Sequence, residues 1–194
     1  MHIGRHIVQE LVFEFGAPII ERWDVPLTEP EFREVEKHRS QGRAHDVTLL
    51  ILKDGQVAVV RKPGDPPDAF RIPSGGIHPE ESFVDGAARE ALEETGLAVR
   101  VQGYLLQIHA DFTLDGEKTS WTTHVMLANA EDGKIGPKDR EAFEAARWVA
   151  MDELVANMNP LLEASSLGDL RYRARIHQRL ADLLEQREQE KEDR

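Results

Sequence analysis

Near the start of the chain, Leu11, Phe13 and Phe15 alternate with Val12 and Glu14, a period-two pattern that predicts a strand. Thr28-Glu29-Pro30-Glu31 then carries the signature of a helix start. A hydroxyl can accept a backbone N–H, a glutamate three residues on can return the bond, and proline sits where no amide is needed. The helix predicted there places Phe32 and Val35 on one face and ends before Gly42. From His45 the pattern changes. Apolar runs at 47–52 and 57–60 flank Asp54-Gly55, which predicts a hairpin with a two-residue turn. A turn-rich stretch, 63–68, and the short Phe70-Arg71-Ile72 lead into Pro73-Ser74-Gly75-Gly76. The next helix is bounded by Ser82 and Asp85 at its start and by Gly96 at its end. Segments 99–109 and 121–129 read as strands joined by Asp115-Gly116-Glu117-Lys118, and 147–149 as a last short strand, with Asp152 opening a helix. From about 168 onward Ile176, Leu180, Leu183 and Leu184 share a helical face. Strands interspersed with helices predict a layered α/β domain.

Composition narrows the class. With 194 residues, 40% hydrophobic and 31% charged, the chain fits a soluble globular domain with additions. No apolar run approaches the roughly 20 residues of a membrane helix, and the N-terminal stretch lacks an export signal, so a cytoplasmic protein with no membrane partner is expected. The chain has no cysteine, which removes disulfides, thiolate zinc sites and cysteine nucleophiles. Lys and Arg total 24 against 36 Asp and Glu, a formal charge of −12. Such a surface does not attract nucleic acid through phosphate contacts, and a nucleic-acid partner is not expected. Clustered carboxylates can, however, hold hard cations.

The acid is placed, not only scattered. Glu90, Glu93 and Glu94 are spaced i, i+3, i+4 and lie within about 100° on one helix face. Val84, Ala88, Ala91, Leu92 and Thr95 fall on the opposite face, where the core is expected. Three like charges on one stripe repel one another. The triplet is either a solvated face or a site whose counter-charge is Arg89, a divalent cation, or both.

The flanking residues favour the second reading. Gly75, five residues, Glu81, seven residues, then Arg89-Glu90-Ala91-Leu92-Glu93-Glu94-Thr95-Gly96-Leu97 resembles the Nudix box, G-x5-E-x7-R-E-U-x-E-E-x-G-U with U apolar, at all nine specified positions. The resemblance covers roughly 44–157 and leaves 1–43 as an N-terminal extension and 158–194 as a C-terminal helical tail. It implies an α/β/α sandwich with a mixed central sheet. It also implies Mg²⁺ or Mn²⁺ held by Glu90, Glu93 and Glu94, with Gly75 or Gly76 offering a carbonyl, Glu81 assisting, and Arg89 holding the glutamates in place. The reaction implied is water attack on phosphorus of a diphosphate linkage, with Glu93 or Glu94 as general base. In some relatives the base lies in a distant loop, where this chain offers Glu141 and Glu144.

Cations and rings near the box are open to two readings. Arg61, Lys62 and Arg71 are phosphate ligands or exposed strand-end charges; Phe70, Phe112 and Trp121 stack on a base or fill the core. His45, His109 and His124 lack ligand spacing and read as structural. The substrate expected is a small nucleoside diphosphate derivative: ADP-ribose or a nucleotide sugar, a dinucleotide, or an NTP. The N-terminal extension is reminiscent of ADP-sugar hydrolases that dimerise through such strands, so a homodimer is expected. The alternatives are a non-catalytic Nudix-fold sensor, disfavoured by the intact box, and a Nudix-fold isomerase, disfavoured by the absence of cysteine.

Overall fold

The apolar run at 47–52 becomes the centre of the molecule. In the computed structural model, which describes residues 3–192, it lies in β2 (His45–Lys53), whose first seven residues are all buried. Strand β2 runs parallel to β6 (Glu117–Asp132), which is antiparallel to β5 (Ala98–Leu114), itself parallel to the edge strand β1 (Ile19–Pro26). On the other side, β2 meets β3 (Gln56–Arg61) only beside the hairpin turn, at Leu52–Val57 and Lys53–Gln56. Asp54 and Gly55 both have positive φ there, as a two-residue primed turn requires. Beyond those pairs β3 leaves β2 and pairs along its length with β7 (Ala145–Ala150). The space vacated beside β2 is taken by β4 (Ser74–Gly75), paired with Thr48 and Val47. The box loop is therefore wedged into a split in a mixed sheet.

Alternation along β2 sends Val47, Leu49 and Ile51 to one face and Leu50 to the other, so each face needs its own cover. One face packs against α1 (Arg5–Phe15) through Leu11 and against α3 (Phe83–Thr95) through Phe83, Ala87 and Ala91. The opposite face is covered by Phe32 of α2 (Glu29–Ser40), by Leu154 and Met158 in a π-helical segment between α4 (Met151–Glu153) and α5 (Asn159–Glu163), and by Tyr172, Ile176 and Leu180 of α6 (Gly168–Glu192). The result is an α/β/α sandwich with a mixed sheet.

Two local readings are corrected. Residues 11–15 are helix, not strand. Ile3, Ile7, Leu11 and Phe15 recur every four residues and all pack on one core, whereas Phe13 is 94% exposed. The strand of this region lies later, at β1. On α3 the core face is rotated: Leu92 is 45% exposed, and Glu94, placed by pattern on the polar face, is 2% exposed.

The segments flanking the central region join the same framework. Thr28 and Glu31 form the reciprocal capping box of α2, with Glu31 Oε2 accepting from the Thr28 amide at 2.8 Å. The same carboxylate accepts the amides of Gly168 at 3.0 Å and Asp169 at 2.8 Å, so it also caps the start of α6. In α6, the buried His177 accepts the Ile72 amide through Nε2 at 3.1 Å, while its Nδ1 faces Asn159 Oδ1 at 2.8 Å. Among the described residues no helix is long and apolar enough to cross a membrane.

Candidate active site

The site is built at the split in the sheet, where the box loop meets α3. Ser82 accepts the Asp85 amide to start α3. Gly96, with φ of 73°, ends it in the left-handed conformation that glycine adopts without cost. The carboxylates then project from the last turns of α3 toward the loop. Glu90 Oε1 accepts the Gly76 amide and Glu94 Oε2 the Ser74 amide, each at 3.0 Å. The approach is close: a Cβ at Gly75 would lie 2.0–2.4 Å from the Glu90 carboxylate, so a larger residue would push that carboxylate out of place.

Arg89 organises the rest. Its Nε and Nη2 donate to the two oxygens of Glu81 at 3.0 and 2.8 Å, its Nη1 to Glu90 and Glu93 at 3.0 Å each, and its Nη2 to the Gly76 carbonyl at 2.8 Å. One guanidinium thus binds three box glutamates and the loop backbone. These bonds hold the Glu81 carboxyl below the usual carboxylate range. Burial does the opposite at the other two acids. It raises Glu90, partly offset by Arg89, and it raises Glu94 to about 8 against the opposing charge of Lys62, with Glu90 adding repulsion.

These residues line a cavity of about 710 Å³. Glu90, Glu93, Glu94 and Gly75 stand at one side. Lys62, Arg71, Arg43 and Arg173 bring positive charge, and Leu27, Val35, Phe112 and Trp121 form an apolar wall. Arg71 pairs with Asp169 at 3.0 Å and with Asp65 at 3.4 Å. Arg173 pairs with Asp46 at 3.1 Å and with Asp169 at 3.2 Å. Asp46 also accepts from Trp121 Nε1 at 3.0 Å, Thr123 and Arg173, which fixes the indole in the wall.

Arg61 and Phe70 stand apart from the lining of this cavity. The Arg61 guanidinium pairs with Glu144 at 2.9 Å, and Phe70 is buried in the core with Arg147 and Arg61 over its ring. Glu141 is exposed and off the lining, whereas Asp139 of the same loop reaches it. Among the histidines, His124 lies 2.5 Å from the Tyr104 hydroxyl, on the face of the sheet that carries α3. Sequence reasoning missed Arg43, Asp46, Asp139, Asp169 and Arg173. For Asp46 and Arg173 no local pattern exists, because they meet across 127 residues.

Among the described residues no three His, Asp or Glu side chains converge as a ready-made metal cage; the box glutamates instead hold Arg89 and backbone amides. The donor set nevertheless suits a hard cation. Two desolvated carboxylates that repel each other face one cavity, their donors are all oxygen, and no thiol competes.

A family model for the NUDIX domain matches residues 42–167. The chain belongs to this family. Similar Nudix relatives include an RNA pyrophosphohydrolase of Cereibacter sphaeroides, 26% identical over 131 residues, covering 60% of this chain and 80% of the relative. One of Pseudomonas putida is 27% identical over 121 residues, covering 54% and 75%. Among solved structures, the MutT NUDIX hydrolase from Burkholderia pseudomallei is 25% identical with a TM-score of 0.46, covering 57% of this chain and 84% of that one.

Proposed function

We propose that this Nudix protein is a divalent-cation-dependent pyrophosphohydrolase of a small nucleoside diphosphate derivative. The observation that carries the reading is the pair Glu90 and Glu94, desolvated side by side in a cavity that also holds four cationic side chains and an apolar wall. Buried like charges are tolerated where a cation joins them. Glu90, Glu94 and, after rotation away from Arg89, Glu93 would hold Mg²⁺ or Mn²⁺. When bound, the ion supplies charge neutralisation of the phosphoryl oxygens and a more acidic water.

The chain's own residues do the remainder. Arg89 keeps the glutamates and the loop in register. Glu93, which lines the cavity, or Glu94, held by the Ser74 amide, would accept the water's proton as general base. A water oxygen attacks phosphorus, the bridging P–O bond breaks, the water's proton passes to the base, and a monophosphate leaves with the rest of the substrate, which keeps the bridging oxygen on its own phosphate.

The test is a panel of ADP-ribose, nucleotide sugars, dinucleotides and NTPs with Mg²⁺ or Mn²⁺. The wild type should turn over at least one, and Glu94→Gln should be at least tenfold slower. Binding without turnover across the panel would favour the sensor reading. The relatives' printed name, RNA pyrophosphohydrolase, favours adding an RNA to the panel, the second reading; the net charge of −12 argues against it. We further propose a cytoplasmic homodimer joined through the N-terminal extension, where Phe13 and Ile20 are exposed. Light scattering that gives a monomer at micromolar concentration removes the dimer.

A further inference from the structure

The four cavity cations are not equivalent. Arg71 and Arg173 are each held by two aspartates and are neutralised within the protein. Arg43 and Lys62 form no ion pair among the described residues. The Nε of Arg43 is buried with no hydrogen-bond partner, and its guanidinium lies 5.6 Å from the Trp121 ring centroid. It also lies against the box loop, since a Cβ at Gly76 would come within 2.4 Å of its Nη1. The ammonium of Lys62 is stacked 5.0 Å from the Phe143 ring centroid, and its field reaches Glu94.

Half-buried cations that form no ion pair are open to a ligand that brings negative charge. These two border the glutamates, one beside Gly76 and the other beside Glu94. We infer that Arg43 and Lys62 clamp the phosphates of the substrate from either side of the box loop, so that the N-terminal extension supplies part of the binding site. The ligand class is a diphosphate, whose several negative oxygens match two cations that form no ion pair among the described residues, with the organic group beyond it lying on the apolar wall of Leu27, Val35 and Phe112. The clamp rests on the pyrophosphohydrolase reading and names the residues that recognise its substrate.

Calorimetric titration with ADP and with inorganic pyrophosphate, each with Mg²⁺, tests the clamp independently of turnover. Arg43→Gln and Lys62→Gln should each weaken ADP binding by about tenfold or more, and Lys53→Gln, on the exposed hairpin, should leave it within about twofold. On a substrate that is turned over, KM should rise more than kcat falls. Should Arg43→Gln misfold, Arg43→Lys keeps the charge without the fork and should bind ADP less tightly than wild type. Wild-type affinity in the Arg43 and Lys62 variants, with turnover still slowed at least tenfold by Glu94→Gln, overturns the clamp and leaves the hydrolase reading intact. Wild-type protein that binds neither ADP nor pyrophosphate at millimolar concentration overturns it too. Clamp-dependent ADP binding without any turnover would leave the clamp standing and remove the hydrolase reading.

Discussion

Replacing Arg89 by methionine removes five hydrogen bonds while keeping the bulk of the side chain. The side chains of Arg89, Glu81 and Glu90 are 23%, 17% and 13% exposed, so their bonds are partly shielded from water; Glu93, at 46%, adds little. Charge-assisted bonds contribute about 1.5–3 kcal/mol each when shielded, but they share one guanidinium and do not add. Stranding one partner of a buried pair costs about 3–5 kcal/mol, and with the remaining exposure here we expect about 2–4 kcal/mol. For a chain of this size that lowers Tm by roughly 4–16 °C. The loss also has a pH signature. Glu81 is depressed in the folded state from an ordinary value of 4.5, so the stability it lends is complete above that value and disappears as pH falls through the folded value. The Tm gap between wild type and Arg89→Met should be full at pH 7 and should narrow as pH falls below about 4.5. Differential scanning calorimetry in EDTA from pH 3.5 to 8 measures it, and Mg²⁺ titration should show affinity weakened by about tenfold or more. A Tm within 2 °C of wild type at pH 7, with unchanged Mg²⁺ affinity, would refute the role given to Arg89.

Gly75→Ala forces a methyl into the Glu90 carboxylate; activity should fall at least about tenfold at a stability cost of about 1–3 kcal/mol, read by paired kinetics and thermal melts. In metal-free protein the folded state holds a proton on Glu94 that the unfolded chain releases near pH 4.5, so stability should fall as pH rises from there to about 8. Glu94→Gln should flatten that slope in thermal melts with EDTA, and Mg²⁺ should raise wild-type Tm most at the alkaline end. His124 and His177 are buried in neutral form, both lowered by desolvation to about 3, so the stability they lend is complete above 6.5 and is lost as pH falls toward 3. His177→Gln should shift the midpoint of acid unfolding followed by circular dichroism, and an unchanged midpoint would dismiss its role.

What the sequence made legible was local chemistry. The reciprocal cap of Thr28 and Glu31, the Asp54-Gly55 hairpin and the Ser82 and Gly96 ends of α3 are each decided by a few neighbouring residues, and each is found in place. The box glutamates and Arg89 share one helix, so their spacing brought them into view, whereas the close approach of Glu90 to Gly75 is a feature of the fold. Alternation over five residues misread α1, because the four-residue period of Ile3, Ile7, Leu11 and Phe15 needed a longer window. Amphipathic logic misplaced Leu92 and Glu94, since the site draws a carboxylate inward at the expense of an apolar residue. Residues brought in from far along the chain were illegible: Arg173 bonds to Thr48 across 125 residues, and no spacing announces it.

The carboxylate of Glu31 grips α2 and the first amides of α6 at once, across 137 residues of chain. The two segments flanking the family's central region should therefore open as one cooperative unit in native-state fluctuations. Hydrogen exchange would register this as matched protection: the Gly168 and Asp169 amides should exchange in step with those of the first turn of α2. Because α2 and α6 both border the cavity, that shared opening also sets how often its walls part. A single half-buried glutamate in a helix cap, itself on the cavity wall, would thereby set the timing of ligand entry.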